Sequence, residues 1–183
     1  KTANMNIAVL GAGAWGTALA IHFAQQHPVQ LWTHNNEHAA QLAQSRQNQR
    51  YLPGYPFPAQ LNVSTQLQAS LSQAELIIIA TPVAGLRSTL EAIKAHQSQD
   101  IPILAACKGF ETDSGLLPHQ VMAAVLPDNL RCGLLSGPSF AQELAQQLPC
   151  AVCLAGSDTQ WLQTVITALN TPVMRLYANP DVV

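Results

Sequence analysis

At 183 residues the chain is long enough for one domain with a sizeable core, or for one domain and part of another. Hydrophobic residues make up 48% of it and charged residues only 10%, against roughly 25% in soluble domains at large, and the formal net charge is −2. This balance leaves no basic patch for a nucleic-acid partner, and no apolar run approaches the roughly 18 residues of a membrane span.

The opening KTANMNIAV offers Met5 as a candidate native start. It lacks the apolar stretch and cleavage site of a secretory signal, so a cytoplasmic protein is expected. The segment NIAVLGAGAWGTALA follows, and the rest of the chain is organised around it. Ile7, Val9 and Leu10 form an apolar run of strand length. Gly11, Gly13 and Gly16 come next in G-x-G-x-x-G spacing, and a helix is predicted over Thr17–Gln25. Gly11 permits a tight turn out of the strand, and Gly13 lets backbone N–H groups approach a pyrophosphate. Gly16 lets the helix pack closely on the strand, with its N-terminal end toward the phosphates. Strand, glycines and helix together predict a dinucleotide site.

Val29–Thr33 predicts a second strand and Glu37–Gln47 a polar helix. In such folds the end of the second strand faces the adenosine ribose, where a carboxylate would bind the 2′-hydroxyl of NAD. Thr33, His34, Asn35 and Asn36 supply no acid before Glu37, which favours NADPH. His34 is the candidate for the adenosine end, with an ordinary exposed loop histidine as the alternative. Tyr51–Pro58, YLPGYPFP, is rich in proline and predicts an ordered loop, in which Tyr51 either covers a cofactor or simply packs. A strand at Leu61–Ser64, a short helix at Gln66–Ser72 and a buried strand at Glu75–Thr81 follow. Pro82 ends that strand ahead of a helix over Leu86–Ala95.

Ile101–Ala106 is the next apolar strand, and Lys108, one of three lysines in the chain, stands at its carboxyl end. Ligands of open α/β sheets bind at that edge, where a cation can hold a phosphate or polarise a carbonyl; a surface lysine is the alternative. A helix over Gly115–Leu126 and a strand over Arg131–Ser136 come next. Gly137-Pro138-Ser139 then opens a helix over Ala141–Gln147, whose free N–H groups suit an anion, although Ser139 acting as a plain helix cap accounts for the same residues. Strands at Cys150–Gly156 and Val173–Tyr177 flank a helix over Thr159–Leu169. Cys150 and Cys153 fall three apart on a strand and so on opposite faces. Buried free thiols are therefore expected at all four cysteines, and no metal site. The alternation predicts an α/β, Rossmann-type, doubly wound and mostly parallel sheet with helices on both faces.

In this order GAGAWGTALA, LWTHN, YLPG, IIIATPV, CKGFE, LSGPSFAQELA and RLYANPDVV resemble the bacterial NAD(P)-dependent glycerol-3-phosphate dehydrogenases over nearly the whole chain. The resemblance implies that Ala14 and Trp15 line the pyrophosphate turn. Ala14 stands where the family usually has Ser or Gly, which points to backbone contact there. It further implies that His34 and Tyr51 meet the adenosine end, that Pro82 and Ala141 touch cofactor, that Lys108 touches cofactor and substrate, and that Gly137 and Ser139 touch substrate. The implied cofactor is NADPH or NADH. The implied reaction is reversible reduction of dihydroxyacetone phosphate to sn-glycerol 3-phosphate, at the entry to phospholipid synthesis. A second, all-helical domain carrying the catalytic lysine follows in the family, and the longer enzyme is compatible with a homodimer. Since the chain stops at Val183, short of that lysine, residues 1–183 are expected to be the cofactor domain alone, without a catalytic residue and inactive by itself. Two other readings stay open. A 6-phosphogluconate or ketopantoate type of dehydrogenase would share the glycine turn but not CKGFE and SGPSFA, and a standalone nucleotide-binding or sensing module would need no second domain.

Overall fold

The computed structural model describes residues 4–96, 101–129 and 131–182; residues 1–3, ahead of the candidate start, and Val183 lie outside them. The glycine segment folds as β1 (Ile7–Leu10) and α1 (Ala14–Phe23), followed by β2 (Val29–Trp32) and α2 (Asn36–Ser45). A small hairpin of β3 (Gln47–Asn48) and β4 (Leu52–Pro56) leads to β5 (Leu61–Ser64) and α3 (Leu67–Leu71). Next come β6 (Leu76–Ile79), a single 3-10 turn at Val83–Gly85, α4 (Leu86–His96), β7 (Ile103–Ala105) and α5 (Pro118–Val125). The described chain closes with β8 (Cys132–Ser136), α6 (Ala141–Ala145), β9 (Cys150–Gly156), α7 (Thr159–Leu169) and β10 (Met174–Asn179).

Eight strands form one sheet in the order β10-β9-β8-β7-β6-β1-β2-β5. Counted within this sheet, the first six strands of the chain run 3-2-1-4-5-6, the doubly wound order. All pairings are parallel except β8 with β9, so β9 and β10 run against the other six. Alternate residues of the central strands serve opposite layers. Ile7, Val9 and Ile78 pack with Leu19 and Phe23 of α1, Leu144 of α6 and Leu162 of α7. Ala8, Leu10, Ile77 and Ile79 pack with Leu86, Leu90 and Ile93 of α4 and Val121 of α5. Burial on both faces is why β1 and β6 read as unbroken apolar runs rather than alternating ones.

The predicted elements recur in place, with local corrections. The loop expected over Tyr51–Pro58 contains β4, paired with β3. Its prolines sit on a two-stranded ribbon, where missing N–H donors are tolerated. Helix α2 stops at Ser45 rather than Gln47, because Arg46 turns left-handed at φ 52° and sends its guanidinium to the carbonyls of Pro58 and Leu61 at 2.7 and 2.8 Å. The helix expected from Gly115 starts at Pro118, the favoured first-turn position for proline. Ser139 does not cap α6: Phe140 occupies that position, and no side chain caps the helix. The four cysteines are not joined in disulfides, and they are half-buried rather than fully enclosed.

Candidate active site

The strand order reverses between β1 and β6, and a cleft of about 800 Å³ opens above their carboxyl ends. Gly11 and Gly13 form its floor, His34, Asn35 and Tyr51 stand at one end, and Thr81 and Pro82 at the other. A smaller cleft of about 310 Å³ lies beside it, lined by Ala14, Trp15, Lys108, Gly137, Ser139 and Ala141. Nine of the site residues expected from sequence and resemblance thus gather along the sheet edge, in two adjoining clefts separated by the first turn of α1, together with Gly11 and Gly13 below. Gly16 lines neither. It is buried on the inner face of the first turn of α1, where an added Cβ would stand 1.9 Å from the Gly11 carbonyl oxygen.

The three glycines differ in what demands them. Gly11 has φ +112° and its missing Cβ would meet the Ala80 backbone at 2.8 Å, so the turn and the backbone that leaves β6 require it. Gly16 is required by the close approach of α1 to the turn. At Gly13 a Cβ would meet nothing within 4 Å. No atom of the described residues explains that glycine, and the space beside it belongs to the cleft. The first intrahelical bond of α1 runs from Thr17 N–H to the Gly13 carbonyl at 3.0 Å, no side chain caps the helix, and its first turn carries no acid. The N–H groups of Ala14, Trp15 and Gly16 therefore have no partner within the helix, which favours an anion there.

Polar groups complete the fit. Thr81 Oγ1 is buried in the large cleft with no hydrogen-bond partner among the described residues, and no carboxylate lines either cleft. Beneath the glycine turn, Asn48 is fully buried with its amide satisfied on both sides. Its Nδ2 donates to the Ala12 carbonyl at 3.0 Å and to Thr17 Oγ1 at 2.8 Å, while its Oδ1 accepts from Tyr51 N–H at 3.2 Å. His38 Nε2 lies 3.3 Å from the same Oδ1, and the His38 ring meets the Tyr51 ring edge-on at 5.4 Å. Asn48 and Arg50 were not singled out by the sequence. Neither belongs to a G-x-G-x-x-G pattern, and only the β3–β4 hairpin brings them under and beside the turn.

At the small cleft, Lys108 is exposed and its Nζ donates to the Gly137 carbonyl at 3.2 Å. Its loop is tied to α4 by a two-pronged ion pair: Arg87 Nε and Nη2 donate to Glu111 Oε1 and Oε2 at 2.8 and 2.7 Å. Ser114 Oγ also donates to Glu111, and these bonds hold its carboxyl down at about 2. Neighbouring Cys107 has its thiol pushed up to about 11 by burial, which removes it as a nucleophile near neutral pH. Gly137 is fixed by packing, since a Cβ there would stand 2.8 Å from the Ala151 carbonyl. No His, Cys, Asp and Glu cluster among the described residues could hold a metal.

Residues 6–162 match the family described as NAD-dependent glycerol-3-phosphate dehydrogenase N-terminus. The chain belongs to this family. A glycerol-3-phosphate dehydrogenase [NAD(P)+] of Neisseria gonorrhoeae is 53% identical over 180 residues, covering 98% of this chain and 55% of the relative. Its counterpart in Nitrosomonas europaea is 50% identical over 179 residues, covering 98% and 54%. The crystal structure of glycerol-3-phosphate dehydrogenase from Coxiella burnetii superposes with a TM-score of 0.88 at 35% identity, over 97% of this chain and 55% of that one. The chain therefore spans about half the length of these glycerol-3-phosphate dehydrogenases, and the likeness confirms the Rossmann-type fold.

Proposed function

We propose that this chain is the NAD(P)H-binding domain of an enzyme that reversibly reduces dihydroxyacetone phosphate to sn-glycerol 3-phosphate. The observation that carries this reading is Gly13: the fold has no use for a glycine there, whereas a pyrophosphate lying on the N–H groups of residues 13–16 does. The large cleft would hold the dinucleotide, with the adenosine end at His34 and Tyr51 and Pro82 along its side. When bound, the dihydronicotinamide supplies a hydride. Lys108, with Gly137 and Ser139 across the small cleft, would bind and orient the substrate oxygen at the seam between the two clefts, and Ala141 would border the cofactor.

The proton for the forming alkoxide is assigned to a lysine outside these residues, on a second domain that is helical in this reading. Phe110, two residues after Lys108, and Phe140, on the lining of the small cleft, are 64% and 69% exposed and are the apolar rim such a domain would cover. A cytoplasmic location and a homodimer of the longer enzyme go with the same reading; among the described residues no helix is long and apolar enough to cross a membrane. The test is titration of the chain with NADPH, followed by nicotinamide fluorescence, and then addition of dihydroxyacetone phosphate. Binding without substrate-dependent oxidation is the expected result. Absence of binding at millimolar cofactor would overturn the cofactor assignment, and brisk turnover by this chain alone would overturn the assignment of the proton donor.

A further inference from the structure

The large cleft contains a cation with no carboxylate to neutralise it. Arg50, in the turn between β3 and β4, lines the same cleft as His34 and Asn35. Its guanidinium lies over the Tyr51 ring, 5.0 Å from the centroid. The ion pair found among the described residues, Arg87 with Glu111, is elsewhere. The turn itself is held firmly: Tyr51 N–H donates to the buried Asn48 amide, and the Tyr51 ring is braced by His38. A stacked guanidinium loses less freedom on binding and presents its planar fork of N–H donors, the geometry that suits a phosphate monoester. Glu37, the acid nearest in sequence to the end of β2, lies on α2 and does not line the cleft. The carboxylate that would bind a ribose diol is thus missing, and a cation stands in the same cleft instead.

From this juxtaposition we infer that Arg50, stacked on Tyr51 in the cleft that His34 and Asn35 also line, forms a binding site for a phosphate monoester on the adenosine ribose, so that the cleft selects the 2′-phosphorylated dinucleotide. The inference rests on the proposed dinucleotide cleft and adds the residue that discriminates between its two ligands. Arg50 is exposed, so its replacement leaves the core untouched.

The chain and its Arg50→Ala and Arg50→Lys variants are titrated with NADPH, NADH and adenosine 2′,5′-bisphosphate, with melting temperature as the folding control. Wild type is expected to bind NADPH at least about ten-fold tighter than NADH, the scale of one charge-assisted hydrogen bond. Arg50→Ala should weaken NADPH and adenosine 2′,5′-bisphosphate by about ten- to a hundred-fold and NADH by less than about two-fold. Arg50→Lys should fall between, since it keeps the charge and loses the fork. Equal losses for NADPH and NADH would make Arg50 an adenine-stacking residue and overturn the inference, as would a wild type that binds both cofactors equally. Binding of neither cofactor would instead bring down the cleft assignment on which the inference stands.

Discussion

Gly13 and Gly16 are three residues apart and make opposite predictions. Gly13→Val places a side chain into open cleft at an ordinary backbone angle, φ −76°. The melting temperature should stay within about two degrees of wild type, a change of under about 1 kcal/mol, while NADPH binding is lost. Gly16→Ala drives a methyl group into the Gly11 carbonyl, so it should lower stability by about 1–3 kcal/mol, with any loss of binding tracking the loss of fold. A thermal melt and a cofactor titration on the two variants separate ligand-facing glycine from packing glycine. The sequence spacing names all three glycines but ranks none of them. Their division of labour depends on where Ala80, just after β6, and the Gly11 carbonyl lie, which no local pattern encodes.

At the scale of elements, the pair Arg87–Glu111 ties α4 to the loop that follows β7. That loop carries Lys108, and the clamp fixes its far side while the Lys108 ammonium holds the Gly137 carbonyl on its near side. Glu111→Gln keeps the shape and removes the charge, so amide exchange over residues 108–116 should quicken several-fold while β7 stays protected; uniform exchange across both would show that the clamp is dispensable. Acid should act in the same way. The folded carboxyl, at about 2, lies below its ordinary 4.5, so the bond is intact above pH 4.5 and is lost as pH falls toward 2. The clamp was not legible beforehand, since the partners are 24 residues apart, with β7 and the residues around it in between. The strands were legible because burial on both faces writes itself as apolar runs. The β3–β4 hairpin was not, because two residues against a proline-rich segment leave no period to read.

The molecule as a whole should weaken in mild acid, and His22 is the reason. It is 4% exposed on α1, with Nε2 3.2 Å from the Thr171 hydroxyl and Nδ1 unpartnered, and burial together with nearby His27 pulls its pKa down to about 4. The unfolded chain takes a proton near 6.5 and the folded one does not, so stability is full above pH 6.5 and falls as pH drops toward 4. By pH 5 this amounts to about 2 kcal/mol, or several degrees in melting temperature. Melts of wild type and His22→Gln at pH 7 and pH 5 check it: the variant should lose distinctly less between the two, and parallel losses would place the acid sensitivity elsewhere. The distribution of charge over the surface has a consequence of its own. The chain is weakly acidic overall, yet neither cleft is lined by a carboxylate, and each holds one cation, Arg50 in the large and Lys108 in the small. A diffusing polyanion is thus repelled mildly by the molecule at large and drawn to a single edge of the sheet. The field there has two positive poles, one in each cleft, which aligns an elongated anion along that edge before any short-range contact forms.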